Sequence, residues 1–384
     1  MASMSVVVVG GGISGLACAR TLLNASRQRS LGLRVVLFEA SPRLGGQVST
    51  QKVHVPGIAS PVIVEAGAEG FVARSKIFPE LAEMCGMEKS QIVHQIRIAD
   101  NELQKDPSHS KLSIVELEPG VAAQKLGFQV SKEDRGRGIH SFRSGMSDLV
   151  ENLATNVDVH TSSRVTGIES LDGGFRVSYT NDGSEYSCFA SSVVIATPLS
   201  CIRGLLSSLG FEWRMNRPLS HNSHVSIHFL LNRSDGVVPK SFAVSHSLQT
   251  RFGGLRACSF LHDKFPDRCD PEYWLFRFYF RPSSDDSLAV PDGWNLCARK
   301  VLEDVFGCRS DPLWQHFAPW KSSLPIITPE HLTECRLAHA HLISRFRGLV
   351  DVCGSETAGA GLDAAATSGH DAAKRVLQKI SPFT

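Results

Sequence analysis

The sequence predicts an α/β fold in which a parallel sheet begins with a βαβ unit and is followed by a second α+β domain with a mixed sheet. Residues 6–9 (VVVV) are a β-branched run, which is typical of a buried parallel strand. A glycine cluster and a helical stretch follow, and residues 33–38 (LRVVLF) indicate a second strand. Strand patterns then dominate residues 225–280, which favours a largely antiparallel sheet in that part of the chain.

The composition predicts a folded protein of two domains. A length of 384 residues is long for one domain and sufficient for two. With 42% hydrophobic and 20% charged residues, a large packed core is expected rather than disorder. The formal net charge of +2 argues against nucleic acid as a partner, so the expected partner is a small-molecule substrate.

Targeting signals and cysteine spacing bear on the location of the protein. The sequence has no apolar run long enough to predict a transmembrane helix. The first strand begins by about Val6, which leaves no room for a signal peptide. The expected location is therefore the cytoplasm, or an organelle matrix if a transit peptide has been removed. The 10 cysteines include no CxxC pair and no zinc-type spacing, so we predict free thiols and no metal site.

Local patterns predict the remaining elements. The polar residues 26–32 are predicted as a loop, and the polar residues 100–137, with their prolines and glycines, as a mobile loop region. Ser147 is the predicted N-cap of a short helix. The predicted strands are residues 164–170, 174–180, 186–190, 192–196 and 349–352, and the predicted helices are residues 14–24, 76–85, 147–155, 296–305 and 362–379.

The glycine cluster at residues 10–15 (GGGISG) matches the dinucleotide-binding pattern GxGxxG of the Rossmann fold. Gly10 permits the tight turn, Gly12 lets the backbone approach a pyrophosphate, and Gly15 allows close packing of helix and strand. Glu39 ends the second strand, where its carboxylate can accept both hydroxyls of an adenosine ribose. It lies 29 residues after Gly10, and the polar loop accounts for the long spacing. An acidic residue here disfavours NADP and leaves NAD and FAD open.

Two further motifs resemble those of the flavin amine oxidase superfamily. Residues 43–46 (RLGG) resemble its second dinucleotide signature, and residues 353–362 (CGSETAGAGL) resemble its closing motif. The resemblance implies a GR2-like domain that binds FAD without a covalent link, with oxygen as electron acceptor. It also implies that the amides at the start of the last helix face the flavin, where the helix dipole stabilises negative charge.

Five other segments are similar to protoporphyrinogen oxidases within that superfamily. They are residues 65–71 (EAGAEGF), 141–146 (SFRSGM), 192–198 (SVVIATP), 255–267 (LRACSFLHDKFPD) and 320–325 (WKSSLP). The middle region, residues 95–140, is shorter and more polar than in that family, so membrane association is not expected. The resemblance implies an FAD-binding domain at 1–94, 141–200 and 345–384, and a substrate domain at 95–140 and 201–344.

The resemblance also implies which residues contact the cofactor. These are Gly10, Gly12, Ile13, Ser14, Gly15, Glu39, Ala40, Arg43, Gly45, Gly46, Gln47, Gly67, Ala68, Glu69, Val165, Ala196, Thr197, Trp320, Gly354, Ser355, Gly361 and Leu362.

The reaction implied by the resemblance is removal of hydride from a C–H bond next to nitrogen or a conjugated ring, with a porphyrinogen as the leading substrate. The alternatives are an amine or amino-acid oxidase, a desaturase acting on another small molecule, and a non-catalytic flavin-binding protein. Amine oxidases of this superfamily place an aromatic residue in the closing motif, where this chain has residues 358–360 (AGA). That difference disfavours the amine oxidase.

The catalytic residues are weakly indicated because the cofactor carries the difficult chemistry. Arg74 is a candidate for binding a substrate carboxylate, and an exposed arginine at a helix start is the alternative. His224 is a candidate base that shares a strand face with His228, and a half-buried polar face is the alternative. Lys321 is more simply a surface lysine. The aromatic run at residues 273–280 (YWLFRFYF) favours a sheet core over a pocket wall.

Overall fold

The computed structural model describes residues 4–96, 100–106, 111–118, 121, 132–233 and 239–380. The strands in these ranges are β1 Ser5–Val9, β2 Arg34–Phe38, β3 Thr50–Val53, β4 Val62–Glu65, β5 Phe71–Val72, β6 Ile92–His94, β7 Asn101–Lys105, β8 Leu112–Glu116, β9 Ile139–Phe142, β10 Asp158–His160, β11 Ser163–Leu171, β12 Gly174–Asn181, β13 Ser184–Ala190, β14 Ser192–Ile195, β15 His221–Asn232, β16 Phe242–Val244, β17 Leu255–Phe260, β18 Tyr273–Phe280, β19 Trp314–Pro325 and β20 Val350–Val352. The α-helices are α1 Ile13–Arg29, α2 Ile77–Met84, α3 Lys132–Arg137, α4 Met146–Ala154, α5 Leu199–Ser208, α6 His246–Gln249, α7 Pro291–Phe306, α8 Pro329–Arg345, α9 Ser355–Ala358 and α10 Leu362–Ile380.

A five-stranded parallel sheet forms the centre of the predicted βαβ region. Its order is β10-β2-β1-β14-β20, and every neighbouring pair is parallel. The β1 valines alternate between two cores, with Val6 and Val8 facing the helix α1 side and Val7 and Val9 facing the opposite side. A strand buried on both faces needs a continuous apolar run, which explains why this part of the α/β fold was predictable from sequence.

A seven-stranded sheet forms the second large layer, in the order β19-β15-β18-β17-β16-β7-β8. Its pairs are antiparallel except for β16 and β7, so the sheet is mixed, as predicted. Trp274, Phe276, Phe278 and Phe280 pack with α7 in one core. The aromatic run is therefore a sheet core. The opposite face of β18 carries Arg277, which is 3% exposed.

A three-stranded sheet, β11-β12-β13, is built from two tight hairpins. The turns fall at Asp172-Gly173 and Asp182-Gly183, between the strands predicted from sequence. Both Asp182 (φ 47°) and Gly183 (φ 78°) have positive φ, which suits the twist of a two-residue hairpin.

Three sequence-based predictions of local structure are wrong. Helix α1 continues to Arg29, so residues 26–29 of the predicted loop at residues 26–32 are helical and only residues 30–32 of that loop lie outside the helix. The Ser26 carbonyl accepts from the Leu31 amide and its hydroxyl accepts from the Leu33 amide, which ends the helix there. Gly145, not Ser147, is the N-cap of α4. Ser147 lies inside the helix and accepts a hydrogen bond from the Thr50 amide instead.

The third error concerns the predicted mobile loop at residues 100–137. Strands β7 and β8 form a hairpin here that extends the seven-stranded sheet, and α3 follows at Lys132–Arg137. The rest of that prediction lies outside the described residues. All ten cysteines are free thiols, as predicted. None of the helices in the described ranges is long and apolar enough to cross a membrane.

Candidate cofactor and active site

The glycine turn after β1 leaves an open cradle at the start of α1. A Cβ on Gly10 would lie 2.6 Å from the Ala196 carbonyl oxygen, and a Cβ on Gly15 would lie 1.9 Å from the Gly10 carbonyl oxygen. Those two glycines are therefore required by packing. A Cβ on Gly12 would meet nothing within 4 Å, and Gly12 is the N-cap of α1 with no side-chain cap. The space beside Gly12 at the start of α1 is therefore open, and the positive dipole end of the helix suits an anion there.

Glu39 lies beside this cradle at the carboxyl end of β2. Its Oε2 accepts from the Gly11 amide at 2.6 Å, and its Oε1 accepts from the Ser41 amide at 2.8 Å and hydroxyl at 2.7 Å. A carboxylate has about four lone-pair sites and three are occupied here, so about one remains for a ribose hydroxyl. Ala40 follows at the exposed end of the turn.

Replacing Glu39 with alanine should weaken FAD binding by about 1–3 kcal/mol, the cost of losing a charged hydrogen-bond acceptor. Titration of the apoprotein with FAD, followed by flavin fluorescence, measures the change. Glu39→Gln is the matched control, because it keeps one acceptor oxygen and should lose less. Unchanged FAD affinity in the alanine variant would remove Glu39 from the ribose role.

The second glycine motif closes the cradle from the other side. The Gly45 amide donates to the Gly11 carbonyl at 2.8 Å, and Gly45 and Gly46 have φ values of 99° and 57°. Arg43 is exposed and donates to the carbonyls of Leu44, Gly46 and Val48. Its guanidinium lies 6.0 Å from the centre of the Trp320 ring. Arg43 therefore fixes the turn.

Residues 65–70 extend the site toward the seven-stranded sheet. The Ala68 amide donates to the Gln47 carbonyl at 2.8 Å, and a Cβ on Gly67 would lie 2.1 Å from that same oxygen. Only glycine fits this close approach. Gln47 in turn donates from Nε2 to the Ser323 carbonyl at 2.5 Å. Gln47 thus links the second glycine motif to both Gly67 and strand β19.

The turn after β14 and the closing motif lie against the start of α1. Gly354 has a φ of 137°, and its Cβ position is 3.8 Å from Ser14 Oγ. A Cβ on Gly369 of α10 would lie 1.9 Å from the Ser14 carbonyl oxygen, so α10 packs directly on α1. The Thr197 hydroxyl beside Gly10 is buried and has no partner in the described part of the chain. An unpaired buried hydroxyl next to an open cradle is the arrangement expected of a site for a polar ligand.

The remaining predicted contacts lie at the edges of this site. Val165 is two residues beyond Ser163, whose amide donates to the Glu39 carbonyl at 2.8 Å. Ser355 begins α9, and Gly361 has a φ of 98° immediately before Leu362 begins α10. Glu69 pairs with Lys264 at 2.9 Å.

Trp320 and His224 line the site from the seven-stranded sheet. Trp320 donates from Nε1 to the Ala66 carbonyl at 2.8 Å. The His224 ring lies nearly parallel to the Trp320 ring, at 8° and 6.1 Å between centroids, and its Nδ1 is 3.1 Å from Ser323 Oγ. Burial, aided by the positive charge of Arg277, lowers the pKa of His224 to about 4. His224 is therefore neutral near pH 7.

The comparisons with known proteins identify the family. Residues 120–377 match the family model of flavin-containing amine oxidoreductases, and residues 8–86 match the NAD(P)-binding Rossmann-like domain. The chain belongs to the flavin-containing amine oxidoreductase family. It is therefore an oxidoreductase with a flavin cofactor.

Curated relatives of this flavoprotein match over short segments. Coproporphyrinogen III oxidase of Bacillus subtilis (strain 168) is 39% identical over 83 residues, which is 22% of this chain and 16% of that protein. L-amino-acid oxidase of Pseudechis australis is 31% identical over 131 residues, which is 32% of this chain and 23% of that protein. The matched part therefore spans less than a quarter of either relative.

Solved structures match over nearly the whole chain. "Putative protoporphyrinogen oxidase from Exiguobacterium sp. 255-15" superposes with a TM-score of 0.77 at 17% identity, covering 99% of this chain and 100% of that one. Putrescine oxidase bound to putrescine gives 0.61 at 14% identity, covering 97% and 99%. At these identities the likeness confirms the fold.

The flavoprotein's cradle fits the diphosphate and ribose of FAD. The first-turn amides of α1 would hold the diphosphate, and Glu39 would bind the ribose. The segment from Gln47 to Ala68 would hold the flavin ring system, with Trp320 beside it. Bound flavin supplies the acceptor for hydride. The protein residues orient the substrate and exclude water, and neutral His224 offers one ring nitrogen for a hydrogen bond at the site.

The other sequence candidates lie elsewhere or are already paired. Arg74 pairs with Asp134 at 3.1 Å and reaches the Ala360 carbonyl at 3.4 Å, so it borders the closing motif. His228 does share a face with His224, but it is fully buried and its Nε2 lies 3.1 Å from the Glu65 carbonyl oxygen. Lys321 is 72% exposed, as a surface lysine. No cluster of metal-ligating side chains occurs within the described ranges.

Sequence reasoning missed the buried charges behind residues 65–69. Glu65, Arg268 and Arg277 are each 3% exposed. The signal that could have revealed them is a charged residue at a position where an apolar residue is expected. Arg277 lies inside an aromatic strand, and Glu65 is the last residue of the buried strand β4.

Neutral His224 should make the protein sensitive to acid. Because its folded-state pKa is lowered from 6.5 to about 4, its contribution to stability is complete above pH 6.5 and is lost as the pH falls toward 4. We expect on the order of 2 kcal/mol to be lost over that range. Urea unfolding at about pH 7 and about pH 4.5 measures it, and His224→Gln should lose less stability. An identical loss in the variant would contradict this.

Proposed function

We propose that this chain is an FAD-dependent oxidase that removes hydride from a carbon next to nitrogen or a conjugated ring, and that a porphyrinogen is its substrate. The proposed substrate class is based on the closing motif. Ala358 and Ala360 are small and exposed around Gly359, which has a φ of 136°. A broad macrocycle needs such an open wall, whereas an amine held between aromatic rings needs a bulky one.

The similarity to coproporphyrinogen III oxidase of Bacillus subtilis supports the same substrate class. Each turnover would transfer two electrons from substrate to cofactor, with oxygen as the final acceptor. The FAD is proposed to be non-covalent. Cys353 and Cys18 are fully buried, and burial raises the pKa of both thiols, so neither is a reactive thiolate.

An amine or amino-acid oxidase is the second candidate. The parallel rings of His224 and Trp320 offer aromatic surface to an amine, and L-amino-acid oxidase of Pseudechis australis is among the relatives. This candidate needs a second aromatic wall, which residues 358–360 do not provide.

Anaerobic reduction distinguishes the two candidates. Purified protein is mixed without oxygen with a porphyrinogen and, separately, with amines and amino acids, while the oxidised flavin band is followed. Rapid bleaching by the porphyrinogen alone is the expected result. Bleaching by amines alone would replace the proposal with the second candidate, and bleaching by neither would contradict both substrate classes.

A further inference from the structure

Five charged side chains lie buried between residues 65–69 and the seven-stranded sheet. We call them the buried charge cluster: Glu65, Glu69, Lys264, Arg268 and Arg277. Glu65, Arg268 and Arg277 are each 3% exposed. The side chains of Glu69 and Lys264 are 14% and 13% exposed.

The buried charge cluster contains one cation more than its carboxylates can balance. Arg268 pairs with Glu65 at 3.3 Å, and Lys264 pairs with Glu69 at 2.9 Å. Arg277 has no carboxylate within 4.0 Å among the described residues. Its Nη2 instead donates to the Gly67 carbonyl at 2.8 Å and to Ser226 Oγ at 3.1 Å. Its guanidinium also lies 4.5 Å from the centre of the Tyr279 ring.

An unbalanced buried cation is costly unless a nearby group gains negative charge. Arg277 is bonded to the carbonyl of Gly67, and Trp320 to that of Ala66. These two residues belong to the segment that, with Gln47, would hold the flavin ring system. In a buried site the interaction energy between two nearby charges is larger than in water, because the effective dielectric constant is lower.

We propose that the buried charge cluster stabilises the negatively charged reduced form of the flavin and so raises its reduction potential. This rests on the proposed flavin site but not on the choice of substrate. Because Arg277 is 3% exposed, it acts through its electric field rather than by contact with substrate. Arg277 is therefore a positioning residue that sets the charge near the flavin, and it is not a catalytic residue.

Glu65 makes the excess charge depend on pH. Burial raises the pKa of its carboxyl to about 7, against the opposing effects of Arg268, the Met146 amide and Thr50, while Glu69 adds to the rise. His228 lies next to the Glu65 carbonyl and the His316 ring, with 5.9 Å between the two ring centroids. Burial, aided by the positive charge of Arg277 and by His316, holds the pKa of the His228 imidazole well below its usual value. Below about pH 7 the buried charge cluster therefore carries one more unit of positive charge than above it.

Variants that change the cluster's net charge in opposite directions test the proposal. Without substrate, the flavin midpoint potential is measured by reduction against a reference dye. Arg277→Met should disfavour the reduced form about tenfold, a fall of about 30 mV for a two-electron couple. Glu69→Gln should raise the potential by a similar amount. The double variant Glu69→Gln/Lys264→Met removes one charge of each sign and should change it little.

Three controls separate charge from packing. Arg277→Lys keeps the charge, so the potential should hold even if FAD affinity falls, and a fall equal to that of Arg277→Met would overturn the proposal. Arg251→Met removes an exposed cation that pairs with Asp304, and should leave the potential unchanged. Glu65→Gln should raise the potential at about pH 8.5 but not at about pH 5.5.

Equal potentials in Arg277→Met, Glu69→Gln and the parent protein would overturn the inference while leaving the proposed substrate untouched. If Arg277→Met does not retain FAD, the comparison of Glu69→Gln with the double variant decides. Failure of the substrate proposal would show itself separately, as a flavin with the predicted potentials that no porphyrinogen reduces.

Discussion

Replacing Gly12 with aspartate is expected to abolish FAD binding while leaving the protein folded. A side chain fits there, since a Cβ meets nothing within 4 Å and Gly12 has a φ of −74°. Aspartate is also a good N-cap, so its carboxylate would accept from the first-turn amides of α1 that otherwise face the diphosphate. Repulsion between this carboxylate and a phosphate about 4 Å away amounts to about 4 kcal/mol at an effective dielectric constant of about 20.

That energy corresponds to roughly a 1,000-fold loss of affinity. FAD titration of the apoprotein measures it, and thermal unfolding of the apoprotein should show equal or slightly higher stability. Gly204→Asp is the matched control, because a Cβ on this exposed glycine of α5 also meets nothing within 4 Å. FAD bound by the Gly12 variant with parent affinity would show that the cradle does not hold the diphosphate.

Replacing Arg268 with methionine is expected to destabilise the protein by about 3–5 kcal/mol at alkaline pH, because it leaves a buried carboxylate without its cation. Arg268 lies 3.3 Å from Glu65, and it also donates to Ser141 Oγ at 2.6 Å. The pKa of Glu65 is already about 7 in the parent, and losing Arg268 would raise it further. A raised pKa means that the acid form is favoured on folding, so stability falls as the pH rises from about 4.5 through the folded-state pKa.

Urea unfolding of Arg268→Met at about pH 6 and about pH 8.5 measures this loss, which should be clearly smaller at the lower pH. The double variant Glu65→Gln/Arg268→Met should recover much of the stability, since no charge is then left unpaired. An equal loss at both pH values, with no recovery in the double variant, would contradict the buried pair.

The sequence predicted the parts of the fold that depend on local patterns. The valine run of β1 and the aromatic residues of β18 can be read directly from the sequence, because burial of a strand on one or two faces sets the spacing of its apolar residues. The glycine turn was also predictable, because the close approach of backbone atoms at Gly10 and Gly15 tolerates no other residue.

The rest depends on contacts between distant residues. Strand β7 is polar in sequence, yet Glu102 is buried because β7 pairs in parallel with β16, where Ala243 is opposite Glu102. The pairing of Glu65 with Arg268 joins residues about two hundred positions apart, which no spacing rule reveals. The cofactor cradle was therefore predictable, whereas the buried charge cluster behind it was not.

The flavin content of the purified protein tests the central claim most directly. Protein precipitated with acid should release a yellow supernatant in which chromatography identifies FAD in amounts matching the protein, with no flavin left on the pellet. Flavin that stays with the pellet would contradict the non-covalent site. A colourless protein that takes up no added FAD would contradict the whole assignment of the cradle, Glu39 and residues 65–69 to the cofactor.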